Sequence, residues 1–548
     1  MADFISGPRA WWILAALAAI AALAGVFTVQ PLDRDESRYA QATAQMLETG
    51  DFIDIRFQDD ARHKKPVGIY WMQAVTVGLL SDATDREIWA YRLPSVIGAI
   101  LAVLGCFWAG TRLMNREAAF VGAAMLAVSS LLAAEAGIAK TDAMLAGLTT
   151  LAMAALVQLR HGGGKRAALV FWAMLGLGIL VKGPVTPMIA GLAIIALVAW
   201  ERRIEWLKPL LFWPGPVMAA LIVLPWIISI EIATGGNFLF GAFLDDLAPK
   251  LSSGDEGHGG WPGYHLLLLP VLSIPFGFFL LPGLHRAAAW LGTEERAQAV
   301  RFLIAWIAPA WIVFELMPTK LPHYPLPLYA ALALIAGLGW EYYRAAPAWS
   351  RWGSLAFGLA GAAGFAALLV FGPATYGGEP FVGMMSAAIF GVAIVGVAIE
   401  LLRIRAHAAL ALALFASISG HYLLRGVVIP ATPDLDLSQR VAGVARDMAA
   451  GHGVRDMPVY SSYTEPSLVF ALGTDTRLLA IDALVEAIAE AGDVVVSIED
   501  SARSGDDPLA LARLDAQVCA REEVAGYNYS RGERTVLIVR LHNCEQGS

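Results

Sequence analysis

Four groups of charged residues in an otherwise apolar chain have the types and spacing to do chemistry. Asp33-Arg34-Asp35-Glu36-Ser37-Arg38-Tyr39 follows the first apolar run. Carboxylates at the mouth of a membrane cavity can serve as general bases; a solvated helix cap with paired charges has the same pattern. Arg62-His63-Lys64-Lys65-Pro66 leads into Gly68-Ile69-Tyr70-Trp71. Cations beside an interfacial aromatic run suit an anionic lipid headgroup, and equally plain anchoring by Lys and Trp. Lys140-Thr141-Asp142 follows Glu135 closely, which fits a cavity acid or an ion pair at a helix end. Lys250, His258 and Tyr264 form one further segment, and Lys320-Leu321-Pro322-His323-Tyr324 another. A lone His in such a place is more often structural. Two segments that each bring a cation and a Tyr fit phosphate binding better than either alone.

Polar groups kept at membrane depth are costly and mark function. Cations there suit a lipid-linked phosphate, and carboxylates suit activation of a hydroxyl. Sugar transfer from a polyprenyl phosphate needs both. Its leaving group is a phosphate, so cations stabilise the developing charge and no strong general acid is required. Its nucleophile is a weak hydroxyl, so a base is required. No GxxxxGK[ST] phosphate loop occurs, so a nucleotide donor is not indicated.

The elements that must position these residues follow from composition. Of 548 residues, 57% are apolar and 16% charged, against about 25% charged in a soluble domain. A disordered chain, a coiled coil and an ordinary cytosolic enzyme are excluded, and a polytopic α-helical membrane protein is expected. Thirteen apolar runs are candidate spans: 10–30, 88–112, 117–134, 138–159, 166–182, 184–200, 209–233, 262–284, 299–317, 323–342, 352–372, 381–402 and 407–428. The first lacks a cleavage site and reads as a retained span. Lys182-Gly183-Pro184 and Met317-Pro318 read as turns. Arg9, then Arg112 and Arg116, then Arg160, Lys165 and Arg166 begin a series of basic loops on one side. Arg202, Arg203, Lys208, Arg286, Arg296, Arg301, Arg344, Arg351, Arg403 and Arg405 continue it, which makes that side cytoplasmic. The N-terminus is then inside and the chain end in the periplasm, if the cell is Gram-negative.

Two long loops fall outside, 31–87 and 234–261. The first is rich in Lys and Arg, which long translocated loops tolerate. Within it Ser37 to Leu47 reads as a short helix capped near Asp35, and Val67 to Leu80 as an interfacial stretch. The net charge of −8 sits in the tail: from Pro430 onward there are 19 acidic residues, 10 Arg and no Lys. That sign gives no support to nucleic-acid binding. Val459–Ser461, Val494–Ser497 and Val536–Arg540 read as strands, and Arg440–Ala450, Pro466–Ala471 and Asp482–Ala491 as helices. The chain thus divides into a membrane domain, 1–429, and a small α/β domain, 430–548. Cys519 and Cys544 would pair in an oxidising compartment or stand as separate thiols.

The order of motifs resembles a known family. Asp35-Glu36-Ser37-Arg38-Tyr39-Ala40 is followed by Met46-Leu47-Glu48-Thr49-Gly50-Asp51-Phe52, then Lys65-Pro66 with Tyr70-Trp71. Lys320-Leu321-Pro322-His323-Tyr324 with Leu326-Pro327 comes later. This resembles the polyprenyl-phosphate glycosyltransferases of the GT-C superfamily, specifically the lipid A aminoarabinose transferase group, related to protein O-mannosyltransferases. The resemblance runs from residue 10 to about 345. It implies an inverting transfer at the outer face of the inner membrane, from a polyprenyl-phosphate-linked sugar to a lipid or glycan acceptor. Asp35 would be the base or a cavity acid, with Glu36 beside it, and Asp142 a second cavity acid. Lys65 would hold the lipid phosphate and Tyr324 contact it. Arg38, Tyr39, Tyr70, Lys250, His258 and Lys320 complete the expected binding set.

The chain also departs from the group. Lys250 stands where the group has Arg, Arg62 where it has Tyr, and Lys64 where it has an acid. A metal site joining that acid to His258 is therefore not expected; no cofactor is required, and a divalent metal stays an alternative. The departures leave sugar and acceptor open. Protein O-glycosylation is the alternative within the enzyme class. A secondary transporter or lipid flippase is the alternative outside it, but its inverted repeat with paired broken helices is not seen.

Overall fold

The computed structural model describes residues 7–32, 34–241, 259–452, 458–491, 494–502, 513–515 and 518–544. Every expected apolar run contains a helix. After α1 (Arg9–Ala22), the first long loop folds into α2 (Arg34–Thr49), the short hairpin strands β1 (Arg56–Phe57) and β2 (Asp60–Ala61), and α3 (Gly68–Leu80). Then come α4 (Ile88–Leu113), α5 (Arg116–Ala127), α6 (Ser130–Ala136), α7 (Asp142–Arg160), α8 (Lys165–Lys182), α9 (Val185–Glu201) and α10 (Pro214–Ala233). The bundle continues with α11 (Tyr264–Leu272), α12 (Gly277–Leu291), α13 (Glu294–Leu316), α14 (Tyr329–Tyr342), α15 (Ala348–Thr375), α16 (Pro380–Leu402) and α17 (Ala406–Leu423).

Among the described residues, seven helices are long and apolar enough to cross a membrane, or nine if each of two bent pairs is one span. The pairs are α5 with α6, bent by 53°, and α11 with α12, bent by 117°. The protein is a polytopic helical membrane protein. The sequence turns hold where glycine or proline requires them: α8 stops at Gly183, whose φ is 60°, and α13 ends just before Met317-Pro318. Helices α4 and α7 meet backbone to backbone, because a Cβ on Gly98 would lie 2.4 Å from the Met144 Cα. This close crossing sets the start of α7, which carries Asp142. Helix α2 starts at Arg34, so Asp35 and Glu36 lie in its first turn, where the helix dipole favours carboxylates.

The tail forms α18 (Leu437–Gly451), β3 (Val459–Ser461), α19 (Pro466–Leu472), β4 (Arg477–Leu478), α20 (Ile481–Ala491), β5 (Val495–Asp500), β6 (Val518–Asn528) and β7 (Glu533–His542). The strands make one sheet in the order β4-β3-β5-β7-β6, parallel on the β4-β3-β5 side and antiparallel on the other. Strand β5 is buried along its whole length, with the polar Ser497, Glu499 and Asp500 among the apolar Val495, Val496 and Ile498. The 11-residue β6 was not expected, because Arg521, Glu522 and Glu523 on this edge strand mask its alternation. Cys519 and Cys544 form a disulfide, settling that question in favour of pairing.

The tail docks on α2. The Glu465 carboxylate accepts Arg34 Nε at 3.0 Å and Arg34 Nη2 at 2.6 Å, and it also accepts Asn528 Nδ2 at 3.0 Å. Arg531 Nε lies 3.2 Å from it. Gln41 donates to Thr474 at 2.7 Å, and Phe470 is buried among Ala40, Ala44 and Tyr91. Asp436, at the start of α18, lies in a small pocket between the tail and Pro31-Leu32. Burial pushes its carboxyl up to about 6 from 3.8, against the pull of Arg440. A folded-state pKa above the unfolded one favours folding at low pH, and the benefit is lost as pH rises through about 6. Asp436→Asn should therefore melt higher than the parent at pH 7.5, with the difference gone below about pH 4; melting curves across that range check the sign.

Candidate active site

The site is built from five pieces of chain: the first turn of α2, the turn after β2, the start of α7, the end of α8 and the loop after α13. Two polar anchors bring the first and third together. Glu36 is 2% and Arg92 1% exposed. Arg92 donates from Nε to Glu36 Oε1 at 2.8 Å and from Nη2 to Oε2 at 3.0 Å. Its Nη1 donates to the carbonyls of Val26 and Val29, at 2.9 and 2.6 Å. The Ala139 N–H donates to Glu36 Oε1 at 2.8 Å. The second anchor is Gln73, which accepts from Thr43 at 2.7 Å and donates to the Ala139 carbonyl at 3.2 Å. Ser95 donates to the carbonyls of Ile138 and Lys140. The loop before Asp142 is thus tied to α2, α3 and α4.

Asp142 accepts the Lys182 ammonium, which lies 5.7 Å from the centre of the Tyr324 ring. His323 lies between two carboxylates, with Nε2 3.6 Å from Asp142 Oδ1 and Nδ1 3.5 Å from Glu135 Oε1. Lys140 Nζ is 3.7 Å from Glu135 Oε2. The rings of His323 and Tyr324 meet edge to face at 5.5 Å. On the facing side Asp35 is exposed, with Arg38 Nη1 3.6 Å from its carboxylate. Tyr39 and Tyr70 pack at 5.3 Å between ring centres. Burial pushes both phenols up, so they remain protonated, and Tyr39 lies within electrostatic reach of both Asp35 and Asp142. The wall behind them is apolar, from Met144, Leu145, Leu180, Val181 and Trp226.

The structure therefore brings together Asp35, Arg38, Tyr39, Tyr70, Asp142 and Tyr324 from the expected set. Lys65 is half-buried in the turn between β2 and α3. Lys320 is buried and donates to the Met317 carbonyl at 2.6 Å, while Lys250 and His258 lie outside the described residues. Glu36 turns away from Asp35 into the bundle. Sequence reasoning missed Lys182, which it read as part of a turn, and the partners of His323, which lie some 180 positions away. Glu135, Asp142 and His323 offer ligand atoms all within 4.8 Å of one another and could hold a metal ion. Lys182 and Lys140 already neutralise the two carboxylates, and the two His nitrogens face different carboxylates, so an ion would have to displace them.

Comparison with known proteins bears on this arrangement. A family model described as dolichyl-phosphate-mannose-protein mannosyltransferase matches residues 64–228. The undecaprenyl phosphate-alpha-4-amino-4-deoxy-L-arabinose arabinosyl transferase of Pseudomonas aeruginosa is 30% identical over 326 residues, 57% of each chain. The enzyme of that name from Erwinia tasmaniensis is 29% identical over 307 residues, 55% of this chain and 54% of its own. The chain thus spans just over half the length of the curated relatives it matches. The crystal structure of ArnT from Cupriavidus metallidurans bound to undecaprenyl phosphate superposes with a TM-score of 0.76 at 18% identity, covering 98% of this chain and 99% of that one. The fold is that of ArnT. An oligosaccharyltransferase of Archaeoglobus fulgidus shares it more distantly, with a TM-score of 0.54 at 12% identity over 91% of this chain and 70% of its own. The ArnT-like superposition extends through the tail.

The two neighbouring acids of α2 should behave differently when altered. Glu36→Ala leaves Arg92 buried and unpaired and should cost about 3–5 kcal/mol, seen as loss of folded protein on size exclusion. Asp35→Asn alters an exposed carboxylate and should keep stability within about 0.5 kcal/mol of the parent.

Proposed function

We propose that the protein is a membrane glycosyltransferase. It moves a sugar from a polyprenyl-phosphate donor to an envelope acceptor: lipid A, a lipopolysaccharide core or another glycan. The observation that carries this reading is that, within an ArnT-like fold, an exposed acid, Asp35, and the Asp142–Lys182 pair beside Tyr324 both lie within electrostatic reach of Tyr39. In the reading, Asp35 takes the proton of the acceptor hydroxyl as its oxygen attacks the anomeric carbon. The bond from that carbon to the phosphate oxygen breaks, configuration inverts, and the polyprenyl phosphate leaves with the bonding electrons. Lys65 stabilises the charge that gathers on the departing phosphate. Asp142 holds Lys182 over Tyr324, and Glu36 is structural. These steps call for no cofactor; a divalent ion, if present, would sit on Glu135, Asp142 and His323 and add Lewis-acid stabilisation of the phosphate.

The basic loops support thirteen spans in a bacterial inner membrane, with the N-terminus cytoplasmic. The domain 430–548 is then periplasmic, and the Cys519–Cys544 disulfide supports that placement. The shorter helices α1 and α9 would cross as parts of a packed bundle. Asp35→Asn should lower transfer by a factor of about 100 or more, and Lys65→Ala should abolish it. Both are measured on folded protein in lipid nanodiscs with a labelled decaprenyl-phosphate sugar and extracted envelope lipids. Near-normal transfer by Lys65→Ala would remove the phosphate role of that lysine.

A further inference from the structure

Arg62 lies among the residues of the site, against Tyr39 and Tyr70. Its backbone N–H donates to the Ile55 carbonyl at 2.8 Å beside the small hairpin, which fixes where its side chain starts. The guanidinium is then held on two sides. Its Nε donates to the Tyr70 hydroxyl at 3.1 Å, and its Cζ lies 5.0 Å from the centre of the Tyr39 ring. Both tyrosines are buried, so this edge bond and face contact set the plane of the fork. Among the described residues, Tyr70 is the one hydrogen-bond partner of the side chain, and neither Nη1 nor Nη2 is ion-paired. Asp35 acts on it from a distance without contact.

A part-buried guanidinium with its two terminal nitrogens unengaged carries a desolvation cost that a suitable acceptor removes. The planar fork matches two oxygens of one phosphate or carboxylate, a fit that a lysine point charge cannot make. We propose that Arg62 is an oxyanion receptor of the cavity, taking two oxygens of a substrate phosphate or carboxylate on Nη1 and Nη2. The proposal rests on the reading of this site as one for a lipid-phosphate donor. Lys65, three positions further along, supplies a compact charge, and Arg62 supplies direction. The oxyanion is the donor phosphate or an acidic group on the transferred sugar. Where the oxyanion is on the sugar, the fixed positive charge favours an acidic sugar over one that carries an amine.

Equilibrium binding to the full-length protein in nanodiscs tests this, with three labelled probes: decaprenyl phosphate, its neutral hexosyl conjugate and its uronosyl conjugate. Arg62→Gln should weaken decaprenyl phosphate at least tenfold if the phosphate is the ligand, and the uronosyl conjugate alone if the sugar acid is. Arg62→Lys keeps the charge without the fork, so it should recover only part of the loss; full recovery would overturn the bidentate contact. Melting curves confirm that both variants fold. Equal affinity of parent and Arg62→Gln for all three probes would overturn the proposal while leaving the donor reading intact. Failure of the folded parent to bind any probe would overturn the donor reading and the proposal together.

Discussion

The buried pair of Glu36 and Arg92 is the interaction on which the site depends. It joins α2, in the first long loop, to α4, in the bundle, and through the Ala139 N–H it also holds the loop that leads into α7. Asp35 and Asp142 come from segments about a hundred positions apart, and this pair, with Gln73 as a second tie, gives them a fixed relation. An ion pair in a helical bundle is costly to desolvate, and replacing both partners by apolar groups is often neutral or stabilising. Here the pair does something apolar packing cannot: it orients three backbone segments through the carbonyls of Val26 and Val29 and the amide of Ala139. The neighbour of Glu36 in sequence, Asp35, is exposed.

The tail adds a second constraint on the same helix. Glu465 takes Arg34 at the start of α2, and Gln41 reaches Thr474 further along it. Arg86 ties α2 to the tail again through Gln41 and Thr474. The helix that carries Asp35 is therefore held from below by the bundle and from above by the sheet domain. A carboxylate on a short helix in a long loop would otherwise have the mobility of the loop. The proton abstraction proposed for Asp35 demands a placement finer than that.

Much of the fold was legible in the sequence, because apolar runs and Pro/Gly breaks are local signals. The helices of the bundle fall on the runs, and α8 ends where Lys182-Gly183-Pro184 says it should. The clusters around Asp35, Asp142 and Tyr324 were legible too, since charge in an apolar chain stands out. What stayed hidden was pairing. Lys182 is a turn marker by its neighbours and an ion-pair partner of Asp142 only in three dimensions. Arg92 sits inside an apolar run and Glu36 beside a more conspicuous acid, so neither declared its partner. His323 was visible within a motif, but the two carboxylates that flank it come from residues 135 and 142. Strand β6 was missed for a different reason: an edge strand with charged outward positions has no apolar alternation to read.

In the proposed reaction this cavity transfers a sugar from a lipid phosphate to an envelope acceptor. Mass spectrometry of envelope lipids and glycans, from the source cell with and without the gene, tests it most directly. The account predicts a species heavier by one sugar residue that disappears on deletion, returns with the parent gene and does not return with Asp35→Asn. An unchanged set of envelope species in the deletion strain, or full restoration by Asp35→Asn, would contradict it.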